Sequence, residues 1–288
     1  MALQISDCSG DTTMDLNQAI TFGQLVNAAY TAENNPVPST PPYQLIDKIF
    51  ANDLATDLNP ERGKTRVEMG LILQNPGTGE AVIAIRDTEG IYEWMQDGKF
   101  LLVPCPFLSG AGHTEDGFTA MYNSMTFGAA PGSPSVKKAI TDPAFGWKSP
   151  VTSLTICGHS LGGSLATLLA LDVAANSSIT SFKTPTVYTY ASPRTGGPQF
   201  VATYNHVVPD TFRIANRMDL VPKLPLPPLY DHVLGLVDLN PVKKVLPLEF
   251  YVKPEISCLH FLSSYLHILS LQAGIDPPLP LDGKCQTE

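Results

Sequence analysis

Ser160 stands two residues after Gly158 and two before Gly162 in the run Gly-His-Ser-Leu-Gly-Gly. That is the spacing a serine needs to attack a carbonyl from a sharp strand-to-helix turn. A serine hydroxyl is a weak nucleophile until a base takes its proton, and it must project from the backbone to where a substrate can reach it. Such a turn meets the second need, and it calls for glycine on both sides because a side chain there would clash with the turn itself. No lysine follows the glycines, which sets aside a phosphate-cradling loop. The helix that would begin after Ser160 brings unpaired N–H groups and the positive end of its dipole, so the Leu161 N–H is the natural donor to an oxyanion. A glycine-rich turn without chemistry is the competing reading, and the surrounding elements decide against it.

Those elements alternate. Residues 151–157 form a short apolar run of strand character and residues 161–175 a strongly apolar helical stretch, so the motif sits between a strand and a helix. Upstream, residues 15–33 place Leu16, Ile20, Phe22, Leu25, Val26, Ala29 and Tyr30 at helical spacing, and 34–42 break the pattern into a loop. Residues 67–74 and 81–85 are apolar runs separated by Asn-Pro-Gly-Thr-Gly, the signal of a hairpin. Helices are expected over 116–126 and 134–144, and strands over 186–191 and 211–215. The sum is an α/β fold with a mostly parallel central sheet and helices on both faces. Residues 88–113 show no clean period and read as a cover over something. Seven prolines within 222–254 argue for a packed loop region rather than regular structure.

A base and an acid must come from later in the chain. His206, His232, His260 and His267 all follow the nucleophile, and Asp210, Asp219, Asp231 and Asp238 are the acids of the same stretch. Three separated blocks resemble the class 3 lipases, the fungal triacylglycerol lipase-like branch of the α/β-hydrolases: GHSLGGSLATLLALDVA, TYASPRTGGPQF and FRIANRMDLVPKLP. The resemblance spans about residues 67 to 267. It implies an α/β-hydrolase fold, a lid segment after the oxyanion strand, and hydrolysis of acyl esters, with feruloyl esterase and phospholipase A1 chemistry as alternatives on similar scaffolds. A non-catalytic binding protein on the same fold is the alternative from another class. The acid maps to Asp219, directly before Val-Pro after one intervening leucine, and the base to His260, followed by Tyr265 and Leu266. His267 remains the competitor for the base, since seven residues on it would share a helical face with His260. Asp210, Asp231 and Asp238 are read as turn or surface carboxylates.

The resemblance also aligns Thr88 as the second oxyanion donor, in Ala-Ile-Arg-Asp-Thr-Glu-Gly. Here Asp87 replaces the usual glycine, and a carboxylate near an oxyanion is unfavourable unless it points away. Glu115 stands where the family has a histidine. Tyr92 to Asp97 resembles the lid helix, so Trp94 and Phe100 are candidate acyl-chain contacts as well as candidate core residues, and His159 beside the nucleophile is taken as a further substrate contact.

Composition narrows the rest. At 288 residues, 43% hydrophobic and 16% charged, the chain suits a single globular domain over 1–288, with a cover over 89–113. A net charge of −9 and the absence of any basic cluster beyond two adjacent lysines exclude nucleic acid as a partner and disfavour strongly anionic membranes. The expected partner is an ester or lipid substrate, met at a transient lipid–water interface; oligomeric state is undetermined and no cofactor or metal is called for. The five cysteines have no ligand-like spacing and read as free, mostly buried thiols, with a Cys8–Cys285 bridge as the alternative. Residues 1–15 lack a basic start and an apolar stretch, which points to a cytoplasmic protein or the mature form of a secreted one.

Overall fold

The computed structural model describes residues 14–33, 35–53, 66–88, 98–130, 132–142, 145–239 and 256–286. Their frame is an eight-stranded sheet in the order β10-β9-β8-β7-β3-β2-β1-β6. Its strands are β1 (Gln44–Asn52), β2 (Arg66–Gln74), β3 (Glu80–Ile85), β6 (Thr126–Phe127), β7 (Ser153–His159), β8 (Thr186–Tyr190), β9 (Thr211–Ala215) and β10 (Leu236–Asp238). The run from β3 through β7, β8 and β9 to β10 is parallel, while β2, β1 and β6 add an antiparallel flank. A separate antiparallel pair, β4 (Leu102–Pro104) and β5 (His113–Glu115), lies within and just after the expected cover segment.

The β2–β3 hairpin follows from its turn. The Asn75 side chain accepts from the Gly77 N–H at 3.0 Å, and Gly79 takes φ 80°, which only glycine enters freely. Along β3 the side chains alternate: Ala81, Ile83 and Ile85 join one apolar cluster, Val82 and Ala84 the other. Both faces of the sheet are therefore dry, and the strand reads as continuous apolar sequence.

One face carries α2 (Asp116–Ser124), α3 (Val136–Ile140), α4 (Leu161–Asn176) and α5 (Pro198–Val207). Helix α4 is buried along almost its whole length, as a helix apolar on every side must be, because α2 and α5 pack over it. The other face carries α1 (Leu16–Thr31) and α7 (Leu262–Gln272), which pack on each other, with the short α6 (Ile256–His260) leading into α7. Asp15 caps α1 by accepting from the Asn17 and Gln18 N–H groups at 2.8 and 3.3 Å.

Three expectations change. No element was expected between the 34–42 loop and residue 67, yet β1 pairs along the length of β2; its two register shifts break the period-two signal on which strand reading depends. Within the proline-rich region, Leu236–Asp238 forms the edge strand β10 beside β9, while 240–255 lie outside the described residues. The expectation of free, buried thiols holds for Cys105 and Cys157 and fails for Cys258 and Cys285, which form a disulfide with Cα atoms 5.3 Å apart. The bridge needed the two residues side by side in space, and 27 positions of sequence separation gave no hint of that. Cys8 lies outside the described residues.

Candidate active site

Strand β7 delivers Ser160 to the point where chain direction reverses into α4. Ser160 holds φ 55° and ψ −125°, a region non-glycine residues avoid at a cost of about 1–3 kcal/mol. Its N–H donates to the Tyr190 carbonyl at 2.8 Å, and its own carbonyl accepts from the Gly163 N–H at 2.9 Å, so the strained turn is held from both sides. A Cβ on Gly158 would sit 2.2 Å from the Gly162 carbonyl oxygen, and one on Gly162 would sit 2.5 Å from the carbonyls of Ile85 and Arg86. The two glycines are thus required by sterics.

Three residues from three elements meet here. The Ser160 hydroxyl lies 2.7 Å from His260 Nε2, and His260 Nδ1 lies 2.8 Å from Asp219 Oδ2. A carboxylate can only accept, so Nδ1 carries the proton and Nε2 is left to accept from the serine. All three residues are buried, at 0%, 2% and 1% exposure in that order. Asp219 also accepts from the Tyr265 hydroxyl at 2.8 Å and from the Val221 N–H at 3.0 Å. Tyr265 in turn accepts from the Asn216 N–H at 3.1 Å, which ties the acid's turn to α7.

The rivals fall away on position. His267 donates its Nδ1–H to the Leu279 carbonyl, 2.6 Å away. It does not share a face with His260 because α6 ends at His260 and α7 restarts at Leu262. His232 donates to the Pro222 carbonyl at 2.6 Å, and burial, reinforced by Arg213, pushes its pKa down to about 3. Asp238 pairs with Arg217, and Asp231 is exposed.

His159 lines the same cleft as His260, with its ring polar atoms engaged inside the protein. Its Nε2–H donates to the His260 carbonyl at 2.8 Å, and its Nδ1 accepts from the Tyr30 hydroxyl at 2.7 Å. Both ring nitrogens are taken, and burial, then the neighbouring His260, holds its pKa well below the ordinary histidine value. A neutral His159 therefore buttresses the backbone of His260. Sequence reading missed Tyr30 and gave Tyr265 no role, although both could have been suspected as polar tips on otherwise apolar helical faces.

The oxyanion wall departs most from expectation. Thr88 is buried at 6% exposure and lines the same cleft as His260, of about 370 Å³, but its N–H donates to Asp87 Oδ1 at 2.7 Å. Asp87 does not point away. Its backbone N–H donates to the Tyr30 hydroxyl at 3.0 Å and its carbonyl accepts from Arg86 Nη1 at 2.6 Å, so the peptide is pinned and the side chain stays inside. Arg86, itself buried, is paired with Glu33 on the loop after α1. On the other wall the Leu161 N–H, the first of α4, has no acceptor among the described residues. Phe100 packs against the apolar cluster on the α4 face, and Trp94 lies outside the described residues. Glu115 caps α2 by accepting from the Phe118 N–H at 2.7 Å.

A serine, a histidine and a carboxylate in hydrogen-bonded line, with helix amides beside the serine, can transfer an acyl group. Comparison with known proteins points the same way. The family model described as lipase (class 3) matches residues 82–228. Phospholipase A1-II 7 of Oryza sativa subsp. indica is 30% identical over 223 residues, covering 69% of this chain and 53% of that protein, so the chain spans about half the length of this relative. Among solved structures, the Rhizomucor miehei triacylglyceride lipase superposes with a TM-score of 0.58 at 20% identity over 78% of this chain and 80% of that one. A triacylglycerol lipase described as having a serine protease triad at its catalytic centre gives 0.60 at 21% identity, over 79% and 81%. At such identities these structures speak to the fold.

Proposed function

The chain belongs to the class 3 lipase family, and from that premise we propose that it is a serine carboxylic-ester hydrolase cleaving acylglycerols or related acyl esters through an acyl-enzyme on Ser160. The observation that carries this reading is the 2.7 Å contact between Ser160 Oγ and His260 Nε2, with Asp219 behind the imidazole. As Oγ attacks the ester carbonyl, His260 takes its proton, and Asp219 steadies the imidazolium and its tautomer. Charge on the carbonyl oxygen falls to the Leu161 N–H at the positive end of α4. His260 then protonates the departing alcohol, and water repeats the sequence on the acyl-enzyme.

The test is labelling with a fluorophosphonate together with hydrolysis of a soluble acyl ester. Wild-type protein is expected to carry one adduct on Ser160, and Ser160→Ala to lose the adduct and at least ~10³-fold in kcat. Full activity in Ser160→Ala would sink the assignment.

Phospholipids are the second reading, supported by the names of the curated relatives. The net charge of −9 favours zwitterionic over anionic bilayers. Release of the sn-1 chain from phosphatidylcholine at rates matching triacylglycerol would support it. Exposed Met218 and Leu220 flank Asp219, and Leu226 and Leu229 follow on the next loop, which supports contact with a lipid–water interface. A jump in rate at an emulsion surface is the expected readout. The Cys258–Cys285 bridge supports an oxidising compartment.

A further inference from the structure

The mechanism above makes no use of Asp87, a carboxylic acid 7% exposed in the wall of the catalytic cleft. Its Oδ1 takes the Thr88 N–H at 2.7 Å, and it shares the cleft wall with His260, the hydrogen-bond partner of Ser160. The backbone on both sides of it is anchored, by Tyr30 from α1 and by Arg86 from the end of β3. Two consequences follow. The Thr88 amide, the donor expected on this wall, is already engaged. An ionised Asp87 would also face the negative charge that develops at Ser160, and its burial limits screening by water.

We propose that the neutral carboxyl of Asp87 is a further catalytic group, which donates its O–H to the oxyanion in place of the Thr88 amide, and that its ionisation switches the site off. The inference rests on the ester-hydrolase reading. With Oδ1 held by Thr88, the acid proton resides on Oδ2. It stays on Asp87 throughout, shared in a hydrogen bond, while the Ser160 proton passes to His260 as before. Burial supports a neutral acid, pushing the Asp87 pKa up to about 7 against the opposing pull of His260, the Thr88 N–H, the Ser160 hydroxyl and Arg86. The other ionisable groups around it are His159, held neutral, Tyr30, and Glu33 paired with Arg86. A protonated carboxyl acting as an oxyanion donor has precedent in enzymes that keep an aspartic acid neutral in an apolar site.

The experiment compares kcat/KM for a soluble acyl ester across about pH 5 to 9 in wild type, Asp87→Asn and Asp87→Gly, alongside fluorophosphonate labelling. Wild-type kcat/KM is expected to fall as pH rises through about 7. Asp87→Asn keeps an N–H donor that cannot ionise, so its activity holds through the alkaline range. Asp87→Gly also loses the alkaline fall, but runs about 10²- to 10³-fold below wild type under acidic conditions, the cost of losing one oxyanion donor. An unchanged alkaline fall in Asp87→Asn would overturn the assignment. So would an Asp87→Gly enzyme as fast as wild type at low pH, since Asp87 would then be only an obstruction. Labelling that persists while either result appears overturns the role of Asp87 alone. Absence of any Ser160 adduct in wild type and both variants overturns the hydrolase reading and this inference together.

Discussion

At the scale of single residues, the site is defined by which polar atoms are already satisfied. Asp219 accepts from His260, Tyr265 and Val221, so removing one donor leaves a buried acceptor short rather than merely weakening a contact. Tyr265→Phe is expected to lower kcat by about tenfold and stability by ~1–2 kcal/mol, read by ester hydrolysis and thermal unfolding. An unchanged kcat would mean that Tyr265 does not help hold the acid. Asp87 also has a stability signature. Its folded pKa is raised from 3.8 to about 7, so the stability its neutral form allows is present below pH 4 and is lost as pH rises toward 7. Asp87→Asn is therefore expected to raise the unfolding free energy more at pH ~8 than at pH ~4, the difference having an upper limit of ~4 kcal/mol. Equal gains at both pH values would contradict the shift. Ser160, Asp219 and His260 were legible from their motifs. The buttressing contacts of His159 were not legible, because the sequence carries no record of the Tyr30 hydroxyl or the His260 carbonyl that occupy its ring.

Elements position these residues by ending where they do. Strand β7 stops at His159 and α4 starts at Leu161, with nothing between them but the strained Ser160. Gly158→Ala would push a Cβ to 2.2 Å from the Gly162 carbonyl, so either the turn opens or the strand shifts. A loss of ~3 kcal/mol or more in unfolding free energy is expected, with activity falling alongside; a fully active, equally stable variant would show that the turn can relax. The break between α6 and α7 at Phe261 matters in the same way, because it aims His260 at Ser160 and sends His267 to Leu279. His260→Ala is expected to abolish turnover and His267→Ala to leave it within about twofold, with both measured on the same ester. The β2–β3 hairpin, α4 and the strand before it were readable because turn chemistry and apolar runs are local signals. Strand β1 was not, because its bulges interrupt the alternation and its partner lies beyond a long intervening segment.

For the whole molecule, the two dry faces of the sheet bring segments far apart in sequence to the candidate site. Helix α1 supplies Tyr30, and α6, near the other end, supplies His260 two residues after Cys258. The Cys258–Cys285 bridge closes a 27-residue separation around α7, worth about 3–4 kcal/mol by loop-closure entropy. Cys285→Ser is expected to lower the melting temperature by several degrees and to reduce activity at temperatures where wild type is unaffected; identical melting curves would argue that the bridge constrains little. What the amino-acid sequence determined by itself was Ser160 with its strand–turn–helix setting, the alternating α/β layout and, through separated motifs, Asp219 and His260 as the residues that meet it. These are encoded over a few residues or in blocks that keep their order. Only the tertiary structure decided the cysteine pairing, the place of His267, the buttress formed by His159 and Tyr30, and the inward turn of Asp87. Each depends on hydrogen-bond partners or close approaches between residues tens to hundreds of positions apart, and no local pattern records which of many polar groups the folded chain will set within 3 Å of one another.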